Sequence, residues 1–335
     1  MDRIGILVSR LGGADAREAN APRRRDSAGW LYDSMGAMAG RLGLQVALLA
    51  PDSFRWEEGR AQARVYDGAG RPAGRWRRAT IAIPSVILDR CFYLDPRQWQ
   101  TYREAVRRCR ASGIPLPGAG MRGKWATYLT LSRDPLLKPH LPETAACAHP
   151  AELKEWLGDG RELFLKPQGG WQGRGAIRIR QDSAGAYELC GRDPLNRLFL
   201  LSLKDEAEVL SWFRRFAGGR NYILQPCLGL NTSDGRAYDI RVLVQKDGNG
   251  VWTLTGLAAR VGEPGSPTSN LNGGGEAREA GGLLAAEFGM ERAERILERI
   301  RFLARRIPSL LEQAFGHFFE LGIDFGVDRS GNVWL

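Results

Sequence analysis

Residues 162–180 have the sequence ELFLKPQGGWQGRGAIRIR, in which one lysine and four glycines lie between two short apolar runs. The first run ends at Lys166, and beyond the glycines Ile177 and Ile179 alternate with arginines. Alternation of this kind is the period of a half-buried β-strand. The segment therefore predicts two strands joined by a glycine-rich loop.

This loop lacks the features of two common nucleotide-binding loops. A Walker loop needs Gly-Lys-Ser/Thr at the start of a helix, and a dinucleotide fingerprint needs its third glycine on a helix, whereas a strand follows here. The pattern favours a hairpin whose backbone amides approach an anion closely, because glycine has no side chain to obstruct it. The glycines are Gly169, Gly170, Gly173 and Gly175.

Lys166 is the candidate point charge of this hairpin. The alternative is an ordinary glycine-rich hairpin with a surface lysine, since such loops are common turn material. Composition favours the anion site, because the chain has six lysines against 42 arginines and arginine is therefore its usual cation. We predict a phosphate clamp at residues 162–180.

The 335 residues are enough for two or three compact units, and 43% apolar residues can fill their cores. No apolar run approaches the roughly 18 to 20 residues of a membrane span, and Met1 leads into a strand-like segment without a cleavage site. A cytoplasmic location with no membrane partner is the default expectation. Five scattered cysteines and three histidines form no disulfide, zinc or triad pattern.

The formal net charge is +10, and the clearest basic patches are Arg23–Arg25 and Arg75–Arg78. A charge of this size would permit binding to nucleic acid or to an acidic surface. The arginine excess is nevertheless spread along the chain and matches no nucleic-acid module. A solvated basic face is therefore favoured, and nucleic acid is not expected as a partner. Nothing in the sequence indicates the oligomeric state.

The first part of the chain has the pattern of a small α/β domain. Residues 3–8 and 45–50 predict two strands, and apolar residues at helical spacing between them predict a helix. Those residues are Leu31, Met35, Met38 and Leu42. A β-α-β unit of this kind begins a parallel sheet.

After this unit, Thr80–Leu88 predicts a further strand, and Asp95 with Pro96 predicts the start of a helix that runs to about Arg110. The segment Ile114–Gly120, IPLPGAG, is a plausible domain boundary.

The middle of the chain is expected to combine short helices and strands around the clamp. The predicted elements are a short helix from Lys124, a helix after Pro150, a polar segment at 181–196, a helix at 205–216 and a strand ending at Gln225.

The segment 238–245, YDIRVLVQ, turns through DGNG into residues 252–261 and predicts a β-hairpin. Period two places Asp239 and Arg241 on one face and apolar residues on the other. A structural salt bridge is one interpretation of these two charges, and a functional role is the other.

Three further features follow the hairpin. The loop TSNLNGGG, residues 268–275, can bind a ligand through its amides or can be merely flexible. Residues 291–306 predict an amphipathic helix that packs on the core. Asp324 lies in the apolar strand ELGIDFGVD, where a carboxylate is costly unless a cation pairs with it.

Taken together, these segments resemble the ATP-grasp ligases, most closely the endospore coat-associated YheC/YheD group, with kinship to glutathione synthetases and RimK-like ligases. The motifs are GKW…TYL, LPET, FLKP..G..GRGAI, ILQ, DIRVLV, SNLNGGG and LGIDFGVD, in that order. The resemblance implies α/β and α+β architecture: a small Rossmann-like α/β pre-ATP-grasp domain at 1–118, followed by two ATP-grasp subdomains at 119–225 and 226–335.

The resemblance also implies roles on the nucleotide side. Lys124 and Lys166 match the family's two phosphate-contacting lysines. The loop Gly169–Gly175, with Arg174, matches the flap over the phosphates. Gln225 falls where the hinge presents a Glu or Gln near the adenine, and there the backbone matters more than the side chain.

On the substrate side, Arg241 and Arg260 match positions that hold the substrate carboxylate or the acyl-phosphate oxygens. Asp324 matches the first magnesium carboxylate. The residues matching the substrate-binding positions are Asp239, Asn270, Gly273 and Gly274.

The sequence departs from the family pattern at Leu335. In the family, the strand beginning NVWL continues to a glutamate that bridges two metals and an asparagine two residues later. One aspartate supplies too few oxygens for two metals, so we expect the 335 residues to be incompetent for phosphoryl transfer. A shortened chain is the favoured interpretation, and a degenerate non-catalytic relative is the alternative.

The resulting functional hypothesis is an ATP- and magnesium-dependent carboxylate–amine ligase that acts through an acyl-phosphate. Its expected cofactors are ATP and magnesium, and its expected partners are small-molecule or peptide acids and amines. The alternative is a non-catalytic ATP-grasp protein associated with the spore coat, which adds a spore association to the expected location.

Overall fold

The computed structural model describes residues 2–11, 27–68, 74–91, 96–118, 120–158, 160–170, 173–271 and 274–335. Of the predicted features, Arg23–Arg25, Asp95 and Gly273 lie outside these residues. The chain forms two compact units. The first comprises residues 1–120 and 316–318, and the second comprises residues 121–315 and 319–335. The predicted three-way division at 118 and 225 stays a prediction.

The first unit is built on a mixed six-stranded sheet with two helices. Its strands are β1 (Arg3–Leu7), β2 (Gln45–Leu49), β3 (Phe54–Arg55), β4 (Arg60–Asp67), β5 (Arg75–Ala82) and β6 (Val86–Asp89), and its helices are α1 (Ser27–Arg41) and α2 (Pro96–Ala111). Strand β1 pairs in parallel with β2 and β6, so the predicted β-α-β unit is present. The other pairs are antiparallel, which makes the sheet mixed.

The predicted strand Thr80–Leu88 is wrong, because the structure divides this segment between two strands. Strand β5 pairs antiparallel with β4, whereas β6 pairs parallel with β1. Pro84 lies in the break between them. Proline has no backbone N–H to donate to a sheet, which favours a break there.

The second unit contains two antiparallel sheets, and the clamp lies in the first. This sheet has the order β11-β10-β9-β8-β12-β7. Its elements are α3 (Lys124–Leu131), β7 (Ala145–Cys147), α4 (Pro150–Leu157), β8 (Leu163–Pro167), β9 (Ile177–Gln181), β10 (Tyr187–Arg192), β11 (Leu198–Leu203), α5 (Glu206–Ala217) and β12 (Tyr222–Pro226).

One face of this sheet carries the core. Leu163, Leu165, Ile177 and Ile179 are buried with residues of α4 and α5, while their strand neighbours face the other way. The predicted polar segment 181–196 is wrong, because it contains β10 and is followed by β11. The alternation in YELCGR, in which Tyr187 and Leu189 are buried, was the available signal.

The other antiparallel sheet of this unit has the order β15-β14-β13-β16-β17. Its elements are β13 (Tyr238–Lys246), β14 (Trp252–Val261), β15 (Glu276–Arg278), α6 (Ala280–Phe288), α7 (Met290–Phe315), β16 (Glu320–Val327) and β17 (Val333–Trp334). The predicted amphipathic helix is present and extends to Phe315. It buries Ala293, Ile296, Ile300 and Leu303 as expected. In the described part of the chain, no helix has the length and apolar character needed to cross a bilayer.

Candidate functional site

The clamp hairpin consists of β8, β9 and the loop between them, residues 168–176, which we call the flap. The predicted order of strand, glycine loop and strand is present, and Leu163 lies opposite Ile179 in antiparallel register. Gly170, Gly173 and Gly175 have φ values of 104°, 71° and 75°. Side chains rarely adopt this left-handed region, so glycine is needed at these three positions.

Lys166 projects from β8 toward the second sheet of its unit. Its ammonium lies 5.3 Å from the centre of the Phe164 ring, on the face opposite the core. No described residue offers Lys166 Nζ a hydrogen bond or an ion pair. Burial lowers the pKa of Lys166, and the nearby Asp324 and Asp239 carboxylates oppose that shift. Within the described part of the chain, this cation therefore lacks a direct anionic partner.

Lys124 is the first residue of α3 and binds the flap rather than standing free. Its Nζ donates to the carbonyl oxygens of Pro167 and Gly170, at 3.1 Å each. Its backbone N–H donates to Gln168 O at 2.9 Å. Burial and the charge of Lys166 lower the pKa of Lys124 to about 8. Lys124 thus fixes the start of the flap beside Lys166.

The remaining nucleotide-side predictions fall around these lysines. Gln225 is buried in β12, and its amide donates to Thr144 Oγ1 at 2.9 Å, which fixes the orientation of the side chain. Arg174 lies in the flap, and its Nε is buried with no hydrogen-bond partner among the described residues. Burial and the nearby Glu162 charge raise the pKa of the Cys227 thiol, just after β12, to about 11.

The predicted substrate-side charges meet on one face of the second sheet. Asp239 lies opposite Arg260 across β13 and β14, and Arg241 lies opposite Asp324 across β13 and β16. Arg260 Nε and Nη2 bind the two oxygens of Asp239 at 2.7 and 2.5 Å. Asp239 and Arg241, which the sequence offered as a possible pair, are thus both in salt bridges, but with Arg260 and Asp324 rather than with each other. We call these four residues the arginine–aspartate network.

Asp324 is the shared member of the network. Arg241 Nε lies 2.6 Å from Asp324 Oδ1, and Arg260 Nη2 lies 2.9 Å from the same oxygen. Loss of contact with water and the charge of the nearby Asp239 raise the pKa of the Asp324 carboxyl. The charges of Arg260 and Arg241 oppose this shift. Burial opposes the charge of Arg260, but the hydrogen bonds and charges of Asp239 and Asp324 raise its pKa. The expected pairing of Asp324 with a cation is present.

A glycine makes room for one of these arginines. Gly322 on β16 lies beside the Arg241 side chain, and a Cβ at this position would overlap the guanidinium. The sequence analysis did not single out Gly322, because a glycine in a strand also marks a bulge or a weak point.

Residues 262–275 form what we call the second loop. Ser269 Oγ donates to Asp239 Oδ2 at 2.7 Å, so this loop is attached to the network. A Cβ at Gly173 would overlap the Asn270 side chain, which places the flap directly against the loop. Gly274 has a φ of 93° and lies beside Glu263. The structure thus brings the predicted residues of both sheets together, apart from Gly273, which is not described.

The comparisons with known proteins agree with this architecture. The model of the YheC/D-like ATP-grasp family matches residues 113–335, which is more than half of the chain. The chain belongs to this family. Over 291 residues it is 25% identical to the endospore coat-associated protein YheC of Bacillus subtilis (strain 168), covering 86% of this chain and 76% of YheC. It is 24% identical to YheD of the same organism, covering 84% of this chain and 61% of YheD.

Two solved structures share the fold of this chain. The chain is similar to D-cycloserine synthetase DcsG, with a TM-score of 0.52 and 15% identity, over 99% of this chain and 89% of that one. It is similar to the ADP complex of the N5-carboxyaminoimidazole ribonucleotide synthetase PurK, with a TM-score of 0.50 and 12% identity, over 99% and 68%. Identities this low show the shared fold alone. The predicted fold and family are confirmed.

The donor set can be tested against the two cofactors that the family resemblance implies. For ATP, Lys166 supplies a cation that no described residue pairs with directly, and the flap supplies glycine amides. For magnesium, no group of three or more metal-binding side chains occurs in the described ranges. Asp324 is 48% exposed although it contacts both Arg241 and Arg260, so its carboxylate can still offer an oxygen to a ligand. One ligand position fits a magnesium ion that is held mainly by phosphates and water.

Proposed function

We propose that this protein is an ATP- and magnesium-dependent ligase that joins a carboxylate to an amine through an acyl-phosphate. The observation that carries the proposal is the position of Lys166, a half-buried cation that faces the arginine–aspartate network and has no direct anionic partner among the described residues. An isolated buried charge is unfavourable, and an arriving phosphate would neutralise it.

On the nucleotide side, Lys166 binds the ATP phosphates from the floor of the clamp. Lys124 already donates to two carbonyls, so it orders the flap and reaches phosphate through the remaining proton of its ammonium. The glycines of the flap present backbone N–H groups to the phosphate oxygens. The backbone around Gln225 receives the adenine, while its side chain stays with Thr144.

On the substrate side, Arg241 and Arg260 hold the acid. An oxygen of the substrate carboxylate attacks the γ-phosphorus, and the bond from this phosphorus to the ADP oxygen breaks. The amine then attacks the acyl carbon, so that a C–N bond forms, the C–O bond to phosphate breaks and the amine releases a proton. Planar guanidinium groups suit the negative charge that develops on the oxygens in both steps.

Magnesium, when bound, would supply Lewis-acid neutralisation of the phosphates, with Asp324 as its protein ligand. Because Arg241 and Arg260 already bind Asp324, the carboxylate keeps its position before the nucleotide arrives. Asn270 and Gly274 lie in the second loop, which packs against the flap through Asn270, and both are proposed to contact the substrate.

The test has a binding stage and a turnover stage. ATP with magnesium is titrated into the protein by calorimetry, and ADP release by the full-length gene product is then measured with a panel of carboxylic acids and amines, singly and in pairs. We expect nucleotide binding and ADP release that requires both an acid and an amine. Absence of nucleotide binding would contradict the whole proposal, and binding without any acid-dependent ADP release would contradict the ligase activity.

A non-catalytic role in the spore coat is the second candidate. It draws on the coat association of YheC and YheD that their names state, and on the pairing of both site aspartates with arginines, which leaves few oxygens for metal. This alternative predicts nucleotide binding without turnover, so the turnover stage separates the two functions.

A further inference from the structure

Arg192, at the end of β10, joins the flap to the second loop. Its main chain binds the flap, because Gly175 N donates to Arg192 O and Arg192 N donates to Ala176 O, at 2.9 Å each. Its side chain reaches the second loop, because Nη2 donates to Glu263 Oε1 at 2.7 Å and to Ser266 Oγ at 3.1 Å. One residue therefore holds both segments.

The burial of this contact makes it a well-defined connection. The Arg192 side chain is 4% exposed and that of Glu263 is 35% exposed. A guanidinium in such surroundings needs a partner, because removing a charge from water is costly. A buried ion pair does not by itself raise stability over an apolar pair, and its best-attested role is to define one arrangement of the chain. Arg192 and Glu263 thus set where the second loop lies relative to the flap.

The connection continues from the second loop to the arginine–aspartate network. Ser266 Oγ donates to Thr268 O at 2.9 Å, and the adjacent Ser269 donates to Asp239. Asp239 in turn holds Arg260. Hydrogen bonds and one short stretch of backbone therefore link the flap to the network.

We propose that Arg192 and Glu263 are positioning residues that couple nucleotide binding under the flap to ordering of the second loop. The inference rests on the proposed function, because it needs a nucleotide at the clamp. A phosphate that fixes the flap also fixes the main chain of Arg192, and the arginine side chain carries this constraint to Glu263 and Ser266. Coupling between two sites is reciprocal, so an ordered second loop also favours the nucleotide-bound flap.

Hydrogen exchange of the full chain, with and without ATP and magnesium, tests the coupling. Amides of the flap report on the nucleotide, and amides of residues 263–275 report on the second loop. We expect ATP to slow exchange in both segments of the unaltered protein, in the loop by at least about fivefold, the lower end of common coupling strengths. A role confined to stability would not make loop exchange depend on ATP.

Two variants and one control sharpen the test. Glu263→Ala removes the carboxylate partner, and Arg192→Met with Glu263→Ala also removes the buried charge, so that a folded protein remains for study if the single variant unfolds. Glu188→Ala is the control. It removes the ion pair between Arg180 on β9 and Glu188 on β10, whose side chains are 52% and 44% exposed. We expect the double variant to keep flap protection and lose loop protection, and the control to keep both.

The outcomes separate this inference from the proposed function. Flap protection without loop protection in the unaltered protein would overturn the coupling and leave the proposed function standing. Equal loop protection in the unaltered protein and the double variant would overturn it as well. If ATP protects neither segment and shows no binding heat, the proposed function fails and the coupling fails with it.

Discussion

The two sheets that face the candidate site differ in whether their charged side chains are paired. In the clamp hairpin, Lys166 has no anionic partner among the described residues, whereas in the arginine–aspartate network every charge has a partner. An anion can therefore join the clamp without displacing a protein group. A substrate carboxylate that approaches Arg241 or Arg260 must instead compete with an aspartate. The clamp can therefore bind an anion directly, whereas the network can bind a carboxylate only if an arginine gives up a contact with Asp239 or Asp324.

The largest expected effect follows from breaking the network. Arg260→Met leaves the Asp239 carboxylate, 18% exposed, near Asp324 without their shared cation. We expect the free energy of unfolding to fall by about 3 kcal/mol, as for other broken buried pairs. Chemical denaturation measures it. The control, Arg278→Met, breaks an exposed pair with Glu276 and should change stability by less than about 1 kcal/mol. Equal losses of unfolding free energy in the two variants would show that the network contributes no more to stability than an exposed ion pair does.

The clamp predicts the opposite pattern, with a loss of binding and little loss of stability. Lys166→Met should weaken ATP binding by about 1.5 to 3 kcal/mol, roughly ten- to a hundredfold, because it removes a charged partner of the phosphates. Stability should hold, since methionine keeps most of the apolar stem and no ion pair is broken. Calorimetry and melting temperatures measure both. Lys154→Met, at a lysine whose side chain is 65% exposed, is the control. Unchanged affinity in Lys166→Met would remove the clamp assignment.

A smaller effect is expected where the network is displaced rather than broken. Gly322→Ala places a Cβ against the Arg241 guanidinium, the far end of a flexible and partly exposed side chain, and should cost at most about 1 kcal/mol of stability, because the guanidinium shifts away from Asp324. Gly256→Ala is the matched control in the same sheet, since a Cβ there would meet no described atom within 4 Å. Urea unfolding compares the two. A cost as small for Gly322→Ala as for Gly256→Ala would show that Arg241 is free to move.

The smallest predicted effect concerns pH and Lys124. Its folded pKa of about 8 lies below the value of 10.5 for an exposed lysine. Between these values the unfolded chain binds the extra proton, so this residue makes the protein more stable as pH rises from about 8 to 10.5. The difference between 10.5 and about 8 would amount to about 3 kcal/mol if fully realised. We expect a gain of less than about 1 kcal/mol over that range, because the carbonyls of Pro167 and Gly170 accept hydrogen bonds from the ammonium and favour its charged form. The difference in stability between the unaltered protein and Lys124→Met should show this rise. A flat difference would mean that the folded pKa is ordinary.

Local periodicity was sufficient to predict the clamp hairpin and the face of β13. In both cases the alternation of residues decides which side chains are buried, and the structure buries Ile240, Val242 and Val244 while Asp239 and Arg241 face the site. The order of the motifs was sufficient for the family and the fold. Periodicity failed at 181–196, where the short strand β10 lies among polar residues.

Only the tertiary structure decided which charges pair. Arg260 binds Asp239, and Arg241 binds Asp324, because the register of β13 with β14 and β16 places them opposite each other. The contact between Arg192 and Glu263 joins residues 71 positions apart. The two-residue period of a β-strand predicts which face of the sheet a side chain occupies. It does not predict which distant strand lies next to that strand. That choice depends on the packing of whole sheets, so the paired network and the link from the flap to the second loop became visible only in the folded chain.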